Sequence, residues 1–399
     1  MTSQESKTPF VAIACGGTGG HLFPGLAVAE QLKLRGCDVA LLVSLKDVDQ
    51  QAVKSAHDME IFMLPAVGLQ NRNYFSFAGS FVKSLFAARK SFRQRRPDAV
   101  LAMGGFTSAS PIFVAKDLGV KTFLHESNTI PGRANRLLSR FVDEAFVGFP
   151  EAAARLKTRK VTTTGTPVRP QFQLQDAAKC RSALGLDPNR PTILVVGGSQ
   201  GASELNAMIL SVLPLLAAKS WQWLHLTGAK DFEKVKAAYA ARGIKAVVKP
   251  FLAEMDLALG AATVAVSRAG ASSLAEIAAM QLPALLVPFP AAADNHQLFN
   301  ASTFAKTGAA KVLEQMNSTP EKVAAILSEL IENEAARSKI QSALAQWHAP
   351  KAAEQIAENI LSAIFRSADS LSAYSLPHCG SRTGRPRSDA TERQNFSAA

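Results

Sequence analysis

Short apolar runs alternate with longer amphipathic stretches through most of this chain, and three of the runs end in turns rich in glycine or serine. That alternation predicts α/β architecture built on parallel sheets. In the first half, strands are expected near Phe10–Ala14, Asp38–Val43, Ile61–Leu64, Asp98–Ala102, Lys121–Leu124 and Glu144–Val147. Helical patterns such as Leu26–Leu34 and Phe77–Phe92 fall between them. A second series begins at Thr192–Val196 and continues near Gln222–Leu226, Ala246–Val248, Thr263–Val266 and Ala284–Val287. A passage containing Pro and Gly, from Gly165 to Arg190, separates the two. Two doubly wound domains facing across a cleft is the simplest arrangement, and ligands of such sheets bind beyond the carboxyl ends of the strands.

The 399 residues suit two domains of ordinary size. The expected division is 8–165 for the first domain, 166–190 for a linker, 191–348 for the second domain and 349–366 for a final helix. Residues 367–399 turn to Ser, Gly, Pro and Arg without apolar periodicity, the composition of a disordered tail. No apolar run approaches the roughly 20 residues needed to span a bilayer, and Phe10–Ala14 is too short for a secretory segment, so a cytoplasmic protein is expected. Cys15, Cys37, Cys180 and Cys379 have no C-x-x-C spacing and read as buried thiols rather than a disulfide framework or zinc site.

The glycine turns carry the chemistry. After the first strand comes Gly16-Gly17-Thr18-Gly19-Gly20-His21, with Pro24 at an expected first helical turn. Glycine lets a ligand approach the backbone, and the helix start beyond offers N–H groups to an anion. The dinucleotide pattern G-x-G-x-x-G is not met, and Val43-Ser44-Leu45-Lys46 ends the second strand without an acid, so NAD binding is disfavoured. The second series repeats the device at Gly197-Gly198-Ser199-Gln200-Gly201 and again at Ser267-Arg268-Ala269-Gly270-Ala271-Ser272-Ser273. Arg268 supplies charge there, and Ser272 and Ser273 can bond phosphate oxygens or cap the helix. Three such turns point to a diphosphate in a cleft between domains. Glu276, one turn into the last helix, either accepts bonds from ribose hydroxyls or is an acid favoured by the helix dipole.

Together these residues resemble the MurG family of transferases, which add N-acetylglucosamine (GlcNAc) to a lipid-linked muramoyl-pentapeptide. The matching stretches are Gly16 through Gly25, His125-Glu126-Ser127-Asn128, Thr166-Pro167-Val168-Arg169, Gly197 through Gly201, Ser267 through Glu276, Pro288-Phe289 and Asp294-Asn295-His296-Gln297. They stand in the family's order over about residues 10–300. The resemblance implies a GT-B fold, with two Rossmann-like domains and UDP-GlcNAc held mainly by the second. It implies that the Leu252 backbone meets uracil and that Glu276 meets the ribose. Ser199 and Ala271-Ser272-Ser273 would hold the diphosphate near Arg169, and His296 and Gln297 the GlcNAc hydroxyls. Thr18, Gly19, Gly20 and Asn128 would close on the donor and shape the acceptor site. This chain departs from the family pattern at Ser127, often Gln, at Phe106, often Tyr, and at His296, Gln in some members.

A β-linked product from an α-linked donor needs a single displacement, in which a base deprotonates the acceptor hydroxyl. His21 is the first candidate base and Glu126 the second; a His after a glycine loop can equally be a structural donor. No cofactor is implied. Asp47-Val48-Asp49 has the spacing of metal-dependent transferases, but the resemblance gives it no role and no metal is expected.

The net charge of +12 asks for an anionic partner. Between Glu60 and Asp98 there is no acidic residue, while Tyr74, Phe75, Phe81, Lys83, Phe86, Arg89 and Lys90 mark a basic amphipathic segment. Residues 77, 81 and 85 form a stripe that can be core. The surplus of aromatic and basic residues suits an anionic membrane surface on the cytoplasmic face, and no nucleic-acid motif is present. A UDP-sugar epimerase of similar fold and a scaffold without turnover are the competing functions.

Overall fold

The computed structural model describes residues 8–44, 59–65, 74–198 and 201–373. By contact, residues 1–364 form one compact unit and 365–399 a second, whose described part is helical. Ser199, the Asp47-Val48-Asp49 spacing, the side chains of Tyr74 and Phe75 and residues 374–399 of the tail lie outside the described residues. Residues 367–373, expected to be disordered, instead continue the final helix, which runs to Ala373 rather than ending at 366.

The first sheet has seven parallel strands, in the order β3-β2-β1-β4-β5-β6-β7. They are β1 (Phe10–Ala14), β2 (Asp38–Ser44), β3 (Glu60–Leu64), β4 (Ala99–Ala102), β5 (Lys121–Glu126), β6 (Glu144–Val147) and β7 (Val161–Thr163). The second has six parallel strands in the order β10-β9-β8-β11-β12-β13. These are β8 (Thr192–Val196), β9 (Gln222–Leu226), β10 (Ala246–Lys249), β11 (Val264–Ser267), β12 (Ala284–Leu286) and β13 (Lys311–Val312). In each sheet the order reverses beside the first strand, which opens a crevice at the strand ends. The short edge strands β7 and β13 were not expected; three and two residues carry too little periodicity to register.

Seven helices position the site: α1 (Gly19–Leu34), α2 (Tyr74–Gln94), α3 (Ala109–Asp117), α4 (Arg133–Leu138), α5 (Ala271–Ala279), α6 (His296–Lys306) and α7 (Ala352–Ala373). Strand alternation splits the first core in two. Val11 and Ile13 of β1 face α1 and the start of α7, where Ile356 and Ile360 are fully buried. Ala12 and Ala14 face the opposite layer, with Ala88 and Phe92 of α2 and Ile112 of α3. Each isoleucine so buried contributes about 1.5–3 kcal/mol, and those of α7 thereby anchor the chain's return to the first sheet.

Candidate active site

Both sheets present their carboxyl ends to one cleft of about 1330 Å³. Of the residues expected at a ligand, Thr18, Gly19, Gly20, His21, Glu126, Asn128, Arg169, Leu252, Ala271, Ser272, Ser273, Glu276, His296 and Gln297 all line it. Arg268 does not. Its side chain is buried, donates to the carbonyls of Val287 and Pro288 at 3.0 and 3.2 Å and to Gln315 at 2.8 Å, and lies over the Phe289 ring. The cation expected to meet phosphate therefore staples the second domain. Phe81 also turns out differently: it packs edge-on to Phe113 and lines the cleft rather than the outer face of α2.

Two helix N-termini meet across the cleft. Helix α1 begins at Gly19, five residues before Pro24, so Pro24 is inside the helix and not in its first turn. Proline has no N–H to give the carbonyl four residues back, that of Gly20. The Ser272 hydroxyl of α5 donates to that carbonyl instead, at 2.9 Å. Neither helix has an acidic residue in its first turn, so both N-terminal dipoles favour an anion between them.

His21 is the third residue of α1, within its first turn, and packs against the glycines that follow β4. Gly104 and Gly105 there have φ of 109° and 77°, and a Cβ on Gly104 would stand 2.9 Å from the imidazole. The glycine pair is the seat of this ring. Glu126, by contrast, is saturated. One carboxylate oxygen accepts from the Asn128 backbone N–H at 2.8 Å and its side-chain amide at 3.0 Å; the other accepts from the Gly132 N–H at 2.9 Å and Asn135 at 2.8 Å. It organises the loop after β5 and has no lone pair directed at an acceptor.

On the other wall, burial pushes the Glu276 carboxyl up to about 7, against the pull of the Arg169 charge. Arg169 stacks between the rings of Phe23 and Phe172, at 4.2 and 5.1 Å from their centroids. Its position in the linker lets one cation reach the field of both domains. His296 donates its Nδ1–H to the Ala293 carbonyl at 2.7 Å, leaving Nε2 as an acceptor in the neutral ring. The Gln297 oxygen accepts from the backbone N–H groups of Ala269 and Phe289, at 3.2 and 3.0 Å. Asp294 and Asn295, just before them, have φ of 51° and 52°, a left-handed pair that sets the direction of α6. Asp294 also pairs with Arg136 of α4 at 2.7 Å, and with Arg133 at 3.4 Å.

Models of the glycosyltransferase family 28 N-terminal and C-terminal domains match residues 11–147 and 192–357. The chain belongs to glycosyltransferase family 28. A "UDP-N-acetylglucosamine--N-acetylmuramyl-(pentapeptide) pyrophosphoryl-undecaprenol N-acetylglucosamine transferase" of Anaeromyxobacter sp. (strain Fw109-5) is 37% identical over 353 residues, 87% of this chain and 91% of that protein. The crystal structure of Acinetobacter baumannii MurG superposes with a TM-score of 0.69 at 28% identity, covering 89% of this chain and 99% of that one. The fold is therefore GT-B, and the protein is a glycosyltransferase of family 28. A UDP-GlcNAc 2-epimerase from Neisseria meningitidis, at TM-score 0.65 and 12% identity, shares the fold alone.

Sequence reading missed the buried Asn300 and the glycine seat of His21. Asn300 stands three residues after Gln297 on one helix, a spacing that puts both on one face and was open to reading.

Proposed function

We infer that the protein transfers GlcNAc from UDP-GlcNAc to a muramoyl-pentapeptide carried on a lipid diphosphate, the step that completes the disaccharide unit of peptidoglycan. The observation that carries this is the convergence of two helix N-termini, Arg169 and Glu276 on a single cleft, in a chain whose relatives bear that activity in their names. His21 takes the proton of the acceptor hydroxyl as its oxygen bonds to the anomeric carbon; the bond from that carbon to UDP breaks and its electron pair leaves on the diphosphate. The helix N-termini and Arg169 meet the charge that develops there. Glu126 holds the acceptor loop rather than serving as base, and Leu252, His296 and Gln297 hold the base and sugar of the donor. Acceptor-dependent release of UDP from UDP-GlcNAc is the deciding assay. Release without acceptor, or none with intact lipid acceptor, sinks this reading.

The Glu276 carboxyl gives the donor site a pH signature. Ribose hydroxyls donate to a carboxylate, so binding favours the ionised form of a group held near neutrality. UDP-GlcNAc itself does not ionise in that range. By calorimetry its Kd should therefore fall as pH rises from about 6 to about 8, by up to about tenfold per unit below the carboxyl's pKa. The Glu276→Gln variant should show no such slope. A flat wild-type profile would remove Glu276 from the ribose.

The outer face of α2 supports docking at the cytoplasmic leaflet. Val82 and Phe86 are exposed, Phe86 by 71%, with Lys83, Arg89 and Lys90 beside them. Leu137 and Phe141, near α4, add apolar surface beside Arg140. No helix among the described residues is long and apolar enough to cross a membrane. Each basic residue near anionic lipid contributes about 1 kcal/mol and a buried Phe about 1.5–3 kcal/mol. Phe86→Asp with Lys90→Glu should thus weaken sedimentation with anionic vesicles by roughly tenfold or more. Turnover of a soluble short-chain acceptor should not change, and unaltered vesicle binding would exclude this face.

A further inference from the structure

Asn300 is fully buried on α6, one helical turn beyond His296 and Gln297. Its side-chain oxygen accepts from the backbone N–H of Thr129 at 2.9 Å. Its NH2 group donates to the Asn128 side-chain oxygen at 3.0 Å and to the Ala269 carbonyl at 3.2 Å. Asn128 and Thr129 belong to the loop after β5 in the first domain, and Ala269 to the turn after β11 in the second. One carboxamide thus joins three parts of the cleft: the loop organised by Glu126, the turn that leads into α5, and the helix that carries His296 and Gln297. Gln297 grips the same Ala269 residue through its N–H, so α6 holds that turn at both its N–H and its C=O.

We propose that Asn300 is the positioning residue that keeps the acceptor loop in register with the donor-holding turn and helix. The proposal rests on the transfer reading and goes beyond it in assigning the register to one side chain. Only a primary amide of this length serves. A carboxylate would oppose the Asn128 and Ala269 oxygens, and alanine would leave the Thr129 N–H and the Asn128 oxygen buried without partners. A longer Gln would overfill a closed site. Loss of register is expected to cost rate more than donor affinity, because a misplacement of about 1 Å between reacting groups can lower turnover about 10²-fold.

The test compares wild type, Asn300→Ala and Asn300→Asp in the full chain. Three measurements are made: kcat for acceptor-dependent UDP release, Kd for UDP-GlcNAc by calorimetry, and radius of gyration with UDP-GlcNAc bound. Both variants should lose at least about tenfold in kcat near pH 8 while Kd stays within about twofold. The Asn300→Asp side chain keeps the shape, and its carboxyl faces two oxygens with Glu126 beyond Asn128, so it should protonate readily. Once protonated it can donate again, and its kcat relative to wild type should rise as pH falls from about 8 to about 6. Scattering should show a larger donor-bound radius for Asn300→Ala, a readout that needs no turnover. An inactive wild type would fail the transfer reading and leave scattering to decide the clasp. A kcat within about twofold of wild type, a Kd that weakens in step with kcat, or an unchanged radius overturns the proposal.

Discussion

Replacing His21 with alanine should lower kcat for acceptor-dependent UDP release by on the order of 10²–10⁴, the usual worth of a positioned general base. UDP-GlcNAc binding should stay within about twofold, because the proposed donor contacts at Glu276, His296 and Gln297 lie on the opposite wall. The expectation rests on geometry. The imidazole is seated on Gly104 and Gly105 at the mouth of β4 and lines the cleft, whereas all the hydrogen-bonding directions of Glu126 are taken by four donors. Single-turnover measurement of the His21→Ala variant separates chemistry from product release. A loss below about tenfold would place the base elsewhere.

Acid should loosen the fold in a way that a single substitution reshapes. His125 donates Nε2–H to the Gly165 carbonyl and takes the Ser127 hydroxyl at Nδ1, and burial pulls its pKa down to about 4. His225 sits between Asn206 and Tyr239 in the same manner, and burial pulls its pKa down to about 3. A histidine depressed in the folded state contributes stability that is present above its unfolded pKa and lost as pH falls below it. Across the window from about pH 6.5 to about pH 4.5 the two together remove on the order of 5 kcal/mol. Glu276 acts with the opposite sign. Its folded pKa of about 7 lies above the unfolded value, so stability grows as pH falls through the same window, by on the order of 3 kcal/mol. From these three groups wild type should lose on the order of 2 kcal/mol and Glu276→Gln on the order of 5 kcal/mol, the variant starting more stable at alkaline pH. Thermal melts of both proteins across that range test it. Parallel curves would mean that Glu276 is not held neutral by burial.

Much of this was legible because parallel sheets write themselves as apolar runs. The first and second strands of each series were placed within a residue or two, as were the turns that end β1, β8 and β11. The start of α1 was not, since Pro24 reads as a helix beginning and Gly19-Gly20 as loop, until helix packing overrides both propensities. Arg268 looked like a phosphate cation because a turn residue's direction is invisible in sequence; only the fold brings the carbonyls of Val287 and Pro288 beneath it. Glu126 misled for a related reason. Its donors come from Asn128, Gly132 and Asn135, a loop geometry that spacing cannot convey. Asn300 is the opposite case, a polar residue on the right helical face that was passed over for want of a charge.

The bond between Ser272 and the Gly20 carbonyl has a bearing on inhibitor chemistry. That bond bridges the opening that a diphosphate would enter, and Pro24 guarantees that the helix does not reclaim the carbonyl. A diphosphate can replace the hydroxyl's acceptor but has no proton to offer the carbonyl left behind. A small uncharged group with both a donor and an acceptor, such as a hydroxyl or a primary amide, satisfies both ends at once. Scaffolds carrying such a group in place of the two phosphates would shed the charge that keeps nucleotide mimics out of cells, and would compete on terms the natural donor cannot match.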